Sequence, residues 1–168
     1  MPITLIAGLA TAYCGHVEAI VLGQNASMEQ QRVAVVLTAL PVEYATAREH
    51  LVDLREEVHG GATVYERGTF TASDGRGWSV ALVEVGPGNE AAAAEAERDI
   101  AYFKPSIAAF MGVAGGLEDV RLCDVVAATK VYGYESGKDR GYFETRPAMR
   151  LASYRLEQRA RAEARSGR

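Results

Sequence analysis

Three short segments of the sequence carry residue types that could do chemistry. Glu43 follows an apolar run that ends at Leu40, and a carboxylate placed there can act as a general base or position a water molecule. Residues 86–88 (Gly-Pro-Gly) and 112–116 (Gly-Val-Ala-Gly-Gly) are rich in glycine, which lets a backbone approach a ligand closely. A helix that starts after such a turn also presents free N–H groups and partial positive charge. Residues 86–88 therefore suit an anionic or polar ligand, and the small residues 112–116 would let a planar or sugar ligand lie on the backbone.

Each segment also has a structural interpretation that requires no ligand. A carboxylate in the first turn of a helix commonly interacts with the helix dipole, which would explain Glu43. Residues 86–88 suit a tight strand-to-helix turn, and spacing alone favours this interpretation. Residues 112–116 suit a crowded crossover in which only small side chains fit. Both interpretations stay open at the level of the residues.

Apolar runs predict the strands that would position these segments. Residues 32–38 and 106–113 are continuously apolar, which is typical of strands buried on both faces of a sheet. Residues 63–71 and 78–85 are β-branched and aromatic, and Asp-Gly lies in the turn between them, which predicts a hairpin. Residues 124–134 are predicted as a further strand.

Apolar residues at three- and four-residue steps predict the helices. One stripe runs from Tyr44 to Val58, a second covers residues 90–103 with Asn89 as N-cap, and a third covers residues 152–164. Residues 137–147 are polar and are predicted as a loop. The face of the second helix expected to be buried consists of Ala93, Ala96, Ile100 and Phe103.

The order β-α-β-β-α-β-β-α predicts a three-layer α/β/α domain with a mixed central sheet, centred on residues 32–38 and 106–113. In open α/β sheets, ligands bind beyond the carboxyl ends of the strands. The three candidate segments all lie at or just beyond the ends of predicted strands.

Composition excludes several classes of function. The 168 residues carry a net charge of −4, and the arginines near the C-terminus alternate with glutamates, so neither nucleic acid nor a membrane is an expected partner. The apolar residues 3–22 are interrupted by His16 and Glu18, and no basic residue precedes them. Residues 1–31 are therefore predicted to be a leader or linker outside the fold, with export as the minority alternative. The distant Cys14 and Cys123 are interpreted as reduced thiols of a cytoplasmic protein.

Four segments together resemble the nucleoside phosphorylase superfamily, and most closely its methylthioadenosine/S-adenosylhomocysteine nucleosidase branch. Residues 33–43 resemble the first strand and its glutamate-containing turn. Residues 85–89 resemble a Ser-Gly-Ile-Gly-Lys loop, residues 110–117 an Asn-Thr-Gly-Ser-Ala-Gly-Gly-Leu signature, and residues 124–126 the strand after it. The resemblance covers about residues 32–134 and makes residues 32–168 a nucleoside phosphorylase-like domain.

The resemblance implies cleavage of the N-glycosidic bond of a purine nucleoside, with water or phosphate as nucleophile and no other cofactor. It makes Glu43 the glutamate that positions or activates water. Gly86 and Gly88 correspond to the loop beside the nucleophile. The segment that lies against the ribose and base corresponds to Val113, Ala114 and Gly115. A homo-oligomer is also expected.

The sequence departs from the family pattern in ways that lower the expected activity. Val85 and Val113 stand where the family has serines, and Pro87 stiffens the loop. The Met-Glu ribose clamp and the later aspartate that protonates the base find no counterpart after residue 134, since Met28-Glu29 precedes the first strand. The domain is therefore expected to be incomplete at its C-terminal side. The alternative is a non-catalytic nucleoside-binding or assembly module of a larger bacterial signalling or defence protein.

Overall fold

The computed structural model describes the backbone of residues 18–23, together with residues 32–60, 62–116, 121, 124–133 and 137–166. These described residues form ten strands and three helices. In chain order they are β1 (Glu18–Gly23), β2 (Val33–Thr38), α1 (Pro41–Arg48), β3 (Val52–Val58), β4 (Val64–Thr71), β5 (Gly77–Glu84), α2 (Asn89–Phe103), β6 (Ile107–Gly112), β7 (Lys130–Gly133), β8 (Gly137–Asp139), β9 (Phe143–Thr145), β10 (Ala148–Leu151) and α3 (Tyr154–Ser166).

The main sheet has six strands in the order β1-β6-β2-β5-β4-β3. The three central strands β6, β2 and β5 are parallel, whereas β1, β4 and β3 pair with their neighbours in the antiparallel sense. The apolar strand β2 lies between β5 and β6, with Val35 opposite both Ala81 and Ala108. The mixed sheet and its central strands are as the sequence predicts.

Two apolar clusters cover the two faces of this sheet. Successive side chains of a strand point to opposite faces, so β2 contributes to both clusters. On one face α2 packs against the sheet in a cluster of Val35, Leu37, Tyr65, Ala81, Val83 and Ala96. On the other face α1 packs in a cluster of Ala34, Ala47, Leu51, Val80 and Leu82. The three-layer α/β/α architecture is confirmed.

The predicted helix from Tyr44 to Val58 is wrong in its second half, where β3 forms instead. The apolar stripe is real, because Tyr44, Ala47, Leu51 and Leu54 all pack on the same cluster. The chain reaches that cluster through a turn rather than a continuous helix, since the N–H of Leu51 donates to the carbonyl of Arg48. The pairing of β3 with β4 outweighs the local helical spacing.

The N-terminal boundary also needs a correction. Residues 18–23 belong to the segment that the sequence places outside the fold, yet they form the edge strand β1 beside β6. A strand edge that remains unpaired presents free N–H and C=O groups, and β1 pairs with the edge of β6 that faces away from β2. Residues 1–17, 24–31 and Cys123 lie outside the described residues.

Smaller corrections concern element boundaries after the hairpin. The N-cap of α2 is Gly88, and Asn89 is its first helical residue. Of the strand predicted over residues 124–134, only β7 forms, and residues 124–128 have no regular structure. Residues 137–147 contain the short hairpin β8–β9 rather than a loop, and β10 pairs with β7.

The described helices are short or highly charged. In α3, ion pairs join Glu157 to Arg161 and Arg159 to Glu163, and none of its described residues is buried. The arginine-rich C-terminal segment is thus a solvated helix face, as the charge pattern predicts. In the described part of the chain, no helix has both the length and the apolar character needed to cross a bilayer.

Candidate functional site

The carboxyl ends of the three central parallel strands lie side by side at one end of the sheet. Their last residues are Thr38 in β2, Glu84 in β5 and Gly112 in β6. The N–H of Val85 donates to the carbonyl of Thr38 at 2.8 Å, which joins the ends of β2 and β5. The buried hydroxyl of Thr38 donates to the carbonyl of Val83 at 3.3 Å. The three segments that carry the candidate residues therefore start from adjoining positions.

Glu43 lies in the first turn of α1 and is 3% exposed. One carboxylate oxygen, Oε2, accepts hydrogen bonds from the backbone N–H groups of Ala39 and Leu40, each at 2.9 Å. The other oxygen, Oε1, accepts from the N–H of Val113 at 2.8 Å. The side chain thus closes the turn between β2 and α1 and also ties this turn to the segment after β6, 70 residues away in sequence.

Gly112 makes this arrangement possible by having no side chain. A Cβ atom at residue 112 would lie 2.8 Å from Glu43 Oε1, which is closer than nonbonded carbon and oxygen atoms approach. The sequence marks Gly112 only as part of a small-residue run and misses its specific role. The signal that could have found this role is a glycine at the end of a predicted buried strand, where another part of the chain can approach the backbone closely.

The turn that follows β5 has a backbone conformation suited to glycine. Gly86 has φ +75° and Gly88 has φ +121°. Gly88 ends the turn as the N-cap of α2, a helix of 15 residues. Residues with side chains adopt this part of backbone space only at a cost of roughly 1–3 kcal/mol. The glycines therefore direct the N-terminus of α2 to the edge where β5 ends.

The structure distinguishes two groups among the candidate residues. It brings Glu43 into hydrogen-bond contact with Val113, which contributes its backbone N–H rather than its exposed side chain. Ala114 is buried, so its methyl group packs inward. Gly86 and Gly88 follow the adjacent strand, but the contacts that join candidate segments link Glu43 to Val113 and Thr38 to Val85 rather than to these glycines.

The geometry limits what Glu43 can do chemically. An ionised carboxylate has about four lone-pair sites, and three of them accept backbone hydrogen bonds here. One further donor, such as a water molecule or a sugar hydroxyl, can still be accommodated. Removal of a proton from a substrate would weaken the bonds that hold the turn. The side chain is therefore built to fix a position and a negative charge.

A set of three polar side chains, Tyr44, Arg48 and Glu66, anchors α1 to strand β4. Tyr44 donates its hydroxyl proton to Glu66 Oε2 at 3.0 Å, and Arg48 donates to both carboxylate oxygens of Glu66. Burial and the hydrogen bond to Glu66 raise the pKa of Tyr44 to about 12. The pKa of Glu66 is lowered, chiefly by the Arg48 guanidinium. This group holds α1, and with it Glu43, against β4.

Comparisons with known proteins identify the family of the chain. The family model of the phosphorylase superfamily matches residues 33–167. Among solved structures, matches include the 5′-methylthioadenosine/S-adenosylhomocysteine nucleosidase of Colwellia psychrerythraea 34H in complex with adenine, at 28% identity and a TM-score of 0.37, covering 45% of this chain and 29% of that one. No curated protein is significantly similar.

Two streptococcal enzymes are further matches among solved structures. The Streptococcus pneumoniae nucleosidase in complex with 8-aminoadenine matches at 26% identity and a TM-score of 0.37, over 44% of this chain and 30% of that one. The S-adenosylhomocysteine nucleosidase of Streptococcus pyogenes in complex with 5-methylthiotubericidin matches at 19% identity and a TM-score of 0.39, over 47% and 31%. The chain thus matches less than a third of the length of each of these structures. The family match covers most of this chain, which therefore belongs to the phosphorylase superfamily.

Proposed function

We propose that the chain binds purine nucleosides at the edge where β2, β5 and β6 end, as part of a site for cleaving the N-glycosidic bond. Membership of the phosphorylase superfamily supports this reaction class. The observation that carries the proposal is the buried Glu43, which is fixed by three backbone N–H groups at the point where two candidate segments meet. The ligand segments are residues 86–88 and 113–115.

The candidate residues of this chain would contribute positioning and charge to the reaction. The oxygen of water or phosphate forms a bond to the anomeric carbon, and the bond to the purine nitrogen breaks with its electron pair leaving on the base. The base then takes up a proton, and water, where it is the nucleophile, releases one. A fixed carboxylate such as Glu43 favours the positive charge that develops on the sugar. The N-terminus of α2, which follows Gly88, suits an anion such as phosphate.

Turnover is proposed to be slow for the chain as it stands. Val85 and Val113 supply no hydroxyl group to the nucleophile. General acid catalysis contributes about 10²–10⁴-fold in rate, and none of the candidate residues can protonate the base. Both carboxyl oxygens of Glu43 already accept hydrogen bonds from backbone N–H groups, so this side chain is poorly placed to donate a proton to the base.

A binding and turnover experiment tests this proposal. Calorimetric titration of the 168-residue chain with methylthioadenosine, adenosine and inosine should show binding of at least one nucleoside. Purine release, assayed with and without phosphate, should be about 10²-fold or more below ordinary enzymatic rates. Glu43→Gln should weaken binding, whereas Glu49→Gln, at the exposed end of the same helix, should not. Absence of nucleoside binding, or turnover at ordinary rates, would contradict the proposal.

Exposed apolar side chains favour a second role in assembly. Tyr142, Leu151 and Tyr154 lie in the C-terminal third of the chain and are 67%, 63% and 74% exposed. A contiguous apolar patch formed by such side chains would mark an interaction surface. We propose self-association through this region, in a cytoplasmic protein. Light scattering should then give a mass above 18.0 kDa that falls for Leu151→Ser. A monodisperse monomer would exclude this role.

A further inference from the structure

A cavity of about 410 Å³ lies at the other end of the main sheet, where β2 and β5 begin. Its walls come from Arg32 before β2, from the first half of β3, from the second half of β4 and from the start of β5. Its volume is within the usual range for sites that bind small molecules. The cavity shares no residue with the candidate nucleoside site, so a ligand bound in the cavity would be independent of the proposed function.

The charge of the walls is predominantly positive. Arg32, Arg55 and Arg67 line the cavity, and Asp53 is the carboxylate among the lining residues. Arg32 and Arg55 are exposed, so their guanidinium groups are free to turn toward a ligand. Thr69 and Ser79 add hydroxyl groups to the walls. An excess of guanidinium groups in a concave site repels cations and attracts anions.

Arg67 differs from the other two arginines because its side chain is only 9% exposed. Its guanidinium lies 4.9 Å from the ring centroid of Phe103, and Nη2 donates to Ser79 Oγ at 2.6 Å. The nearest carboxylate oxygen, on Glu57, is 3.7 Å from Nη1, which is too long for a good hydrogen bond. Among the described residues none accepts a hydrogen bond from Nε. Arg67 thus forms an ion pair with Glu57 that lacks a good hydrogen bond, and its Nε donor has no acceptor among the described residues.

We propose that this cavity binds a phosphate dianion, either free or as the monoester of a small molecule. Guanidinium groups bind phosphate through paired, charge-assisted hydrogen bonds, and three arginines line this cavity. The anion would offer an acceptor to Arg67 and would be contacted by Arg32 and Arg55. Asp53 opposes binding, because its negative charge faces the same space.

Trp78 provides a local readout for a test. It is the single tryptophan of the chain and it lines the cavity. Its fluorescence should therefore change when an anion enters. The chain is titrated with inorganic phosphate and, separately, with glycerol 3-phosphate, and sodium chloride keeps the ionic strength constant. A change with both compounds assigns the site to the phosphate group, and tighter binding of the ester identifies a monoester as the better ligand.

Three variants are expected to weaken, strengthen or leave unchanged the binding of phosphate. Arg55→Gln should weaken phosphate binding about tenfold, the effect of losing one hydrogen bond to a charged group. Asp53→Asn should strengthen it, because it removes the repelling charge. Arg140→Gln, an exposed arginine of the β8–β9 hairpin, should leave it unchanged. The proposal is overturned if phosphate acts no differently from chloride, or if Arg55→Gln and Arg140→Gln bind equally well.

Discussion

Replacing Asp99 with asparagine is expected to stabilise the protein above neutral pH by on the order of 4 kcal/mol and to leave it unchanged in mild acid. Asp99 lies on the buried face of α2 with a relative exposure of 0%. Among the described residues, no hydrogen-bond partner is found for either of its carboxylate oxygens. A buried, unpaired carboxylate is costly when it is ionised.

The surroundings of Asp99 explain the size of the effect. Burial raises the pKa of Asp99 from the usual 3.8 to about 7. The nearby Tyr65 hydroxyl opposes this rise, and the negative charge of Glu95 adds to it. Glu95, in contrast, has hydrogen-bond donors at both carboxylate oxygens. Tyr65 donates its hydroxyl proton to Oε1 at 2.7 Å, and Arg98 donates to Oε2. These bonds outweigh burial and lower the pKa of Glu95. Asp99 is therefore the member of this acidic pair that holds a proton in the folded state.

The sign follows from the protons bound in each state. Between about pH 4 and pH 7 the unfolded chain has lost the Asp99 proton and the folded chain keeps it, so the free energy of unfolding falls as pH rises. Below about pH 4.5, Glu66 and Glu95 act in the opposite direction, because their pKa values are lowered by folding. Among these groups, the opposing effects balance at about pH 4 to 4.5, where stability should be greatest.

Urea denaturation across this pH range measures the prediction. The unfolding free energy of the native chain should fall toward neutral pH, whereas that of Asp99→Asn should stay nearly level. Glu97→Gln removes an exposed carboxylate from the same helix and should follow the native profile. Equal slopes for the native chain and Asp99→Asn would show that Asp99 is ionised throughout.

The burial of Asp99 is not predicted by the apolar spacing of α2. The apolar spacing of α2 predicts a buried face of Ala93, Ala96, Ile100 and Phe103, but the buried residues are Ala92, Glu95, Ala96 and Asp99. Ala96 belongs to both sets, and the predicted Phe103 is partly buried and packs against the core cluster that contains Ala96. The helix is rotated so that two acids face β4, where Tyr65 supplies a donor to one of them. A partner 30 residues away in sequence leaves no trace in a helical repeat.

Patterns that depend on repeated apolar contact are more informative. The runs that form β2 and β6 are apolar on both faces, and burial on both faces is what the centre of a covered sheet requires. Their parallel arrangement places Glu43 beside Val113. The edge strand β3 is half polar and resembles a continuation of α1, because its identity depends on pairing with β4 rather than on its own residues.

Replacing Glu43 with alanine is expected to lower the free energy of unfolding by about 3 kcal/mol or more, since three backbone N–H groups lose a charged acceptor. Glu43→Gln should cost about half as much, because the amide keeps one acceptor oxygen but turns an NH₂ group toward an N–H donor. Urea denaturation measures both. Amide hydrogen exchange at Val113 should accelerate in each variant, which reports the loss of the link between α1 and β6.

A double-mutant cycle with Gly112 separates this link from a general loss of stability. Gly112→Ala brings a Cβ atom to 2.8 Å from Glu43 Oε1, so in the native background it must displace the carboxylate and lose much of the same stabilisation. In the Glu43→Ala background the space is already open, and Gly112→Ala should cost little. Additive effects of the two substitutions would show that Glu43 does not hold the end of β6, and the role given to it in the candidate site would then fail.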